Sequence, residues 1–198
     1  PHFLYNTLDI IVWMIENERQ SEAVKAVTAL ARFFRISLSK GKSIIPVRDE
    51  LEHVRNYLMI QSMRYKNKFT YSIEAGEGVE ELASLKLMLQ PLVENAVIHG
   101  IADQEEGGAI YIRIREKGEL LWISVADTGE GIDEDKLEKI KRALKEGDGS
   151  GVGIGLGNIA RRLKAMYEDG EVRIESRKGC ATVVQLAFTP ENCKEDEP

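Results

Sequence analysis

The chain has 198 residues, 43% of them hydrophobic and 30% charged, with a formal net charge of −6 and a pI near 5.3, which suits one large domain or two small ones with a real core. Basic side chains are dispersed among acidic ones, arguing against nucleic acid as a direct partner, and no run approaches the ~18 apolar residues of a membrane span. Cys180 and Cys193 lack metal-ligand spacing and are too few for a disulfide framework, as in a reducing cytosolic compartment.

The opening PHFLYN leads straight into a helical pattern, so the chain reads as a fragment of something longer. Over residues 3–18, Leu4, Leu8, Ile11, Val12 and Ile15 recur at the spacing of an amphipathic helix. A second helix fits 21–38, with Ala23, Ala26, Val27, Leu30, Phe33, Phe34 and Leu38 on one stripe, stopping at Gly41. Pro46 opens a third, striped by Val47, Leu51, Val54 and Leu58, with Asp49 and Glu50 in the first turn where the helix dipole favours acids. The all-helical part ends near residue 66. Two consecutive amphipathic helices form a hairpin that needs a partner, and a dimeric four-helix bundle would bury both stripes.

From residue 67 the pattern changes. FTYSIEA alternates as a strand, GEGVEEL makes a loop, and LKLMLQPLVENAVIHGI is apolar on nearly every face, as a helix under a sheet would be. IYIRIRE and ELLWISVAD read as successive strands, DEDKLEKIKRALKEG as an exposed helix, NIARRLKAMY as a last helix, and GEVRIESRKG and ATVVQLAFT as two closing strands. The expected fold is therefore α+β: a helical dimerisation region over 1–66, an α/β two-layer sandwich with a mixed sheet over 67–190, and a charged, disordered tail over 191–198.

Three segments carry chemistry. GVGIGLGN puts glycine at four alternate positions ahead of a helix; such spacing lets backbone amides approach phosphates, or makes a flexible connection. It is neither a P-loop nor GxGxxG. In VADTGEGID, Asp127 ends an apolar strand, where a carboxylate is costly without good hydrogen bonds. An adenine amine would donate one and a guanine carbonyl would be rejected, with Gly129 and Gly131 turning around the ring; otherwise DTGEG is an exposed turn. In LVENAVIHG, Glu94 and Asn95 sit on the apolar helix, and Asn95 shares a face with His99. An amide oxygen suffices to anchor a Mg²⁺ that keeps several waters and bridges nucleotide phosphates. His99 is either a helix-end structural residue or a phosphate contact.

In this order, ENAVIHG, DTGEGI and GVGIGLGN resemble the N, G1 and G2 boxes of the ATP-binding fold shared by histidine kinases, type II topoisomerases, the 90-kDa heat-shock chaperones and MutL proteins. PHFLYNTLD with RDELEHVRNYLMIQSMRYKNKF resembles the LytS/YesM-type sensor histidine kinases, and the likeness runs from Pro1 to about Phe188. The resemblance implies that Asn95 holds Mg²⁺ with Glu94 beside it, and that Asp127 binds the adenine amine of ATP with Thr182 near it. Gly129 and Gly131 would shape the base pocket, and Gly151, Gly153, Gly155, Leu156 and Gly157 would close over the phosphates.

Two departures stand out. A basic residue common three positions after the N-box asparagine is Ile98 here, which passes the phosphate contact to Arg161 or Arg162. The acid that often follows the acceptor histidine is Phe3, leaving Glu94 as candidate base. In topoisomerase-like hydrolases a glutamate four residues before the N-box asparagine activates water; here it is Pro91, and losing a general base typically costs about 10²–10⁴-fold.

Taking about 100° per residue, His2, Asn6, Asp9 and Trp13 cluster on the face opposite Leu4, Leu8, Ile11, Val12 and Ile15. His2 is thus a solvated surface residue or a nucleophile for the γ-phosphoryl group, with Asn6 one turn on to orient a water. His53 reads as structural. The functional expectation is a histidine kinase core that autophosphorylates His2 and passes the phosphoryl group to an aspartate of a response regulator receiver domain. It would act as a homodimer through the N-terminal helices, and the family implies the cytoplasmic portion of a plasma-membrane protein tethered by segments outside this chain. The alternatives are an ATP hydrolase driving conformational change and a non-catalytic ATP sensor.

Overall fold

The computed structural model describes residues 2–38, 43–66, 68–102, 104, 107–146 and 154–190. Gly41, Gly151, Gly153, Cys193 and the tail 191–198 lie outside the described residues.

Helices α1 (His2–Glu16) and α2 (Gln20–Leu38) form the expected hairpin, closed by Arg19 N–H donating to the Met14 carbonyl at 2.8 Å. Their contact is lined by Ile11 and Met14 against Ala23, Ala26, Ala29 and Leu30, with Ile60 of α3 (Val47–Arg64) closing the cluster. The alanines allow the helices to approach closely. The α1 stripe expected from spacing is only half right. The chain itself buries Thr7, Ile11 and Met14, whereas Leu8, Val12 and Ile15 stay exposed together with Tyr5. The reason is geometric: a hairpin packed on one further helix has neighbours along one side of α1, and the remaining apolar side finds none among the described residues.

Helix α3 is the centre of the molecule. Its stripe Val47, Leu51, Val54 and Leu58 is buried as expected, but so are Glu50, His53, Asn56, Tyr57 and Gln61. A single hydrophobic core runs from Phe33 of α2 through α3 to the sheet.

Two three-residue strands, β1 (Ile44–Pro46) and β3 (Ala83–Leu85), pair antiparallel and were not legible in the sequence. The main sheet has the order β2-β4-β5-β7-β6, from β2 (Phe69–Ala75), β4 (Gly108–Lys117), β5 (Leu120–Asp127), β6 (Glu171–Arg177) and β7 (Ala181–Phe188). The β2–β4 pair is parallel and the others antiparallel. Alternate residues Ile110, Ile112 and Ile114 of β4 and Leu121, Ile123 and Val125 of β5 are buried. They lie beneath α4 (Leu89–Asn95), α5 (Glu134–Glu146) and α6 (Ile154–Met166), while Tyr111, Arg113 and Arg115 face out. This is the two-layer sandwich with a mixed sheet that the sequence leads one to expect.

The helix expected over 85–101 is divided. The segment before α4 turns sharply at Leu87, whose φ of 60° is costly for a β-carbon-bearing residue. Helix α4 starts at Leu89 and passes at Ala96 into a π-helical turn, Ala96–Ile101. Its first turn has no cap from its own sequence. Glu50 of α3 supplies one: its carboxylate accepts N–H bonds from Leu87 (2.5 Å), Met88 (2.9 Å) and Leu89 (2.9 Å). These are the donors a helix start leaves unsatisfied, and a negative charge there meets the positive end of the dipole. Burial alone raises the Glu50 pKa, and the three backbone bonds, with Arg162 beyond them, oppose that rise. Glu50→Ala leaves the three N–H groups without their acceptor. It is expected to lower unfolding free energy by about 3 kcal/mol in a urea titration; a midpoint within error of the parent would contradict the capping role.

Candidate functional site

Strand β5 delivers Asp127 to the end of the sheet, where it is 6% exposed. Its Oδ1 accepts the Gly129 N–H at 2.9 Å, and the backbone N–H of Thr182, its ladder partner on β7, also bonds the carboxylate. Desolvation nevertheless wins and pushes the Asp127 pKa up to about 6. Two backbone donors leave a carboxylate with acceptor capacity to spare, so an outside donor such as an exocyclic amine is suited to it.

Glycines set the approach to this carboxylate. A β-carbon on Gly100 would lie 2.6 Å from Asp127 Oδ1, and one on Gly129 would lie 2.2 Å from the Gly100 carbonyl. The π-turn and the β5 end therefore meet backbone to backbone. Gly100, to which sequence reading assigned no role, is as necessary to the junction as Gly129; the signal was its place at the end of an apolar helix directly after a histidine. Gly131 has φ 66°, and a β-carbon there would strike the Arg177 carbonyl at 2.1 Å.

The loop after Asp127 is fastened to the β6–β7 turn. Gly179 N–H donates to the Glu130 carbonyl at 2.6 Å, Ile132 N–H donates to Ser176 Oγ at 2.9 Å, and Lys178 pairs with Asp133. Ser176 also lies 2.8 Å from Thr182 Oγ1 and donates its own proton to the Ala181 carbonyl at 2.9 Å. Ser176 thus ties the Thr182 hydroxyl to the loop, a role invisible in sequence because its partners are 44 residues back and six on.

Glu94 and Asn95 close α4, both half-buried. Glu94 Oε1 accepts from Gln90 Nε2 at 2.8 Å. A half-buried amide beside a carboxylate offers the oxygen donors Mg²⁺ takes, and among the described residues no group of three or more His, Cys, Asp and Glu side chains is placed to hold a metal. His99 and Ile98 are exposed on the π-turn. Gly155, Leu156 and Gly157 fall within α6, which begins four residues earlier than its expected start at Asn158. Leu156 is buried in the core, which pins the first turn, and a β-carbon on Gly155 would lie 3.4 Å from Pro91. Gly155 thus approaches the first turn of α4, and Asp127 meets Gly100 in the π-turn that follows α4. Of the two arginines considered for phosphate, Arg162 donates to the Lys86 carbonyl at 2.7 Å and Arg161 to Asn158 at 2.5 Å.

His2 and Asn6 lie on α1. His2 is exposed and Asn6 half-buried. Phe3 between them turns inward, its ring tilted against Phe33 (4.8 Å) and Tyr57 (5.1 Å), so it packs half-buried on the core where an acid would be costly. Among the described residues no hydrogen bond, ion pair or ring contact joins His2 to Glu94, Asn95 or Asp127. No helix of these residues is long and apolar enough to cross a membrane.

Comparison with known proteins agrees with the geometry. Residues 1–69 match the family model described as Histidine kinase, and residues 80–192 match that of the Histidine kinase-, DNA gyrase B-, and HSP90-like ATPase. The chain is 31% identical over 189 residues to the sensor histidine kinase YesM of Bacillus subtilis, covering 94% of this chain and 31% of that protein. It is 33% identical over 171 residues to YpdA of Escherichia coli, covering 86% and 29%. It thus spans about a third of the length of the curated relatives it matches. Among solved structures, the histidine kinase domain of a blue-light activated kinase from Erythrobacter litoralis shares the fold with a TM-score of 0.56 at 18% identity, covering 94% of this chain and 89% of that one. The catalytic domain of ThkA gives 0.54 at 21%, covering 75% and 97%. The chain belongs to the histidine kinase-, DNA gyrase B- and HSP90-like ATPase family, and within it to the histidine kinases of the LytS/YesM type.

Proposed function

We propose that this chain is an ATP-dependent protein-histidine kinase core that phosphorylates His2 and passes the phosphoryl group to an aspartate on a response regulator receiver domain. The observation that carries the proposal is the junction of Gly100 with Asp127. It sets a buried carboxylate with unused acceptor capacity against the turn that continues from Asn95. In this reading Asp127 accepts the adenine amine, Thr182 lies beside it through Ser176, and Gly129 and Gly131 hold the loop around the ring. Asn95 holds Mg²⁺, with Glu94 beside it and His99 toward the phosphates; Gly155, Leu156 and Gly157 form the near end of the phosphate-closing segment that begins at Gly151 and Gly153. The metal, when bound, neutralises charge on the phosphates.

The acceptor is the exposed His2. One imidazole nitrogen forms a bond to the γ-phosphorus as the bond to the β,γ-bridging oxygen breaks, ADP leaves, and the imidazole gives up a proton. Such transfer asks mainly for alignment and charge neutralisation. Among the described residues His2 makes no contact with the nucleotide residues, so in this reading transfer requires the helical part, residues 1–66, and the nucleotide part, residues 67–190, to close on each other within or between protomers. Glu94 is the candidate base in the closed arrangement, and Asn6 orients a water for dephosphorylating the partner. The whole protein would act beneath the plasma membrane, tethered by segments outside this chain.

The decisive test is incubation with Mg²⁺ and ATP labelled at the γ-phosphate. Label held by the protein, lost in acid and kept in alkali, is expected. Free phosphate without labelled protein would point to a hydrolase, against which Pro91 already argues, and bound but unchanged ATP to a sensor.

The same reading accounts for the uncovered side of the hairpin. Tyr5, Leu8, Val12 and Ile15 follow alternating steps of three and four, as do Val24, Val27, Ala31, the half-buried Phe34 and Leu38 on α2; this is the seam of an intermolecular helix bundle. Leu8→Glu combined with Val27→Glu is expected to convert a dimer into a monomer by light scattering, with the helical content retained. A dimer that persists in the double variant places the interface elsewhere.

A further inference from the structure

Helix α3 carries a buried imidazole that the proposed chemistry does not use. His53 is 1% exposed and lies where α2, α3 and α4 meet. On one side its ring stacks on Phe33 at 4.1 Å and 23°, and Nε2 lies 2.8 Å from Ser37 Oγ, both on α2. On the other, its partner is the side chain of Gln90 on α4. The Ser37 hydroxyl has one proton and a second acceptor within reach, the Phe33 carbonyl at 2.9 Å. With the proton there, Nε2–H donates to Ser37 Oγ. Burial holds the ring neutral, with a pKa lowered to about 4, so at neutral pH one nitrogen donates and the other accepts.

Gln90 continues the chain. Its Nε2 donates to Glu94 Oε1 at 2.8 Å, one turn along α4 and next to Asn95. Its Oε1 is buried and without a hydrogen bond of ordinary geometry among the described residues. An amide so placed has a second arrangement open to it, in which the carbonyl meets a donor on His53 and the link to Glu94 changes. Phe33, on which the ring stacks, also touches Phe3, the neighbour of His2. Contacts therefore run without a break from the start of α1, through α2 and His53, to the Glu94–Asn95 end of α4.

We propose that His53 is a positioning residue that couples the placement of α2 to the Glu94–Asn95 end of the nucleotide site through Ser37 and Gln90. A shift of α2 breaks or makes the Ser37 bond, the imidazole responds, and Gln90 alters its hold on Glu94. The coupling is reciprocal, since a ligand at Asn95 must then favour one placement of α2 by the same factor. This rests on the reading of Glu94 and Asn95 as part of a nucleotide site.

The test is a double-mutant cycle read as affinity for a non-hydrolysable ATP analogue with Mg²⁺, with thermal melting recorded for each variant. Ser37→Ala lies on α2, away from the nucleotide residues. It is expected to change affinity about three- to tenfold, and to have no such effect once the relay is cut by His53→Phe. Gln90→Met cuts it at the next link if the phenylalanine variant does not fold. Restoration of the wild-type response by His53→Asn, which keeps a donor and an acceptor, would add support. Effects of Ser37→Ala on melting temperature but not on affinity, or simple additivity with both relay variants, would overturn the proposal and leave His53 as packing alone. A parent protein that fails to bind the analogue would instead overturn the nucleotide-site reading, and the coupling with it.

Discussion

Asp127→Asn is expected to weaken binding of an ATP analogue by about 10²–10³-fold, while raising the melting temperature of the nucleotide-free protein at neutral pH. The first effect follows from exchanging a desolvated carboxylate acceptor for an amide, whose NH₂ group would face either the backbone donors or the base. The second follows from linkage. The Asp127 pKa is about 6 in the folded chain against 3.8 for the ordinary side chain. Between those values the folded state binds more protons than the unfolded one, so stability falls as pH rises from 4 to 6 and stays reduced above that. The cost of keeping the carboxylate ionised at pH 7 is about 3 kcal/mol, and asparagine does not incur it. The gain in melting temperature is thus near zero at pH 4 and on the order of 5–10 °C at pH 7. An amine donor favours the ionised carboxylate, so nucleotide affinity of the parent should also fall as pH drops below 6, and this fall should vanish in the variant. Calorimetric melting across pH with titration of the analogue checks all three; a variant that binds normally would remove Asp127 from the base pocket.

His2→Gln is expected to abolish acid-labile labelling entirely and to leave the rest of the protein untouched. The side chain is exposed and makes no contact with the nucleotide residues among those described, so analogue affinity should stay within twofold and unfolding free energy within about 0.5 kcal/mol. The pairing of a total loss in one assay with no change in two others is what separates a nucleophile from a structural histidine. Labelling that survives would move the acceptor to another residue; His53 is a poor substitute, being enclosed by Phe33, Ser37 and Gln90.

What could be read beforehand divides by range. The five main strands, the α3 stripe and the Asp127 strand end are local patterns of period two or three to four, and they stand in the structure as the residues indicate. The β1–β3 pair escaped because three residues cannot display a period. The early start of α6 escaped because glycine argues against helix, whereas Leu156 gains burial and Gly155 gains proximity to Pro91. Glu50 looked like an ordinary acid in a first turn; its carboxylate serves another helix 37–39 residues on. His53 lacked a constellation for the same reason, since Ser37 and Gln90 stand on separate helices. The uncovered side of α1 shows the converse, an apolar pattern legible in sequence whose partner is not among the described residues.

The fastening of the 129–133 loop to the β6–β7 turn bears on product release. Two hydrogen bonds and the Lys178–Asp133 ion pair hold that loop to the sheet through the protein's own groups, so under the proposed function the floor offered to adenine would be blind to the number of phosphates attached. In a kinase built on such a floor, ADP competes with ATP through the same contacts. Under the proposed function, such a kinase would inherit sensitivity to the cellular ratio of the two nucleotides from its architecture, before any signal reaches the hairpin.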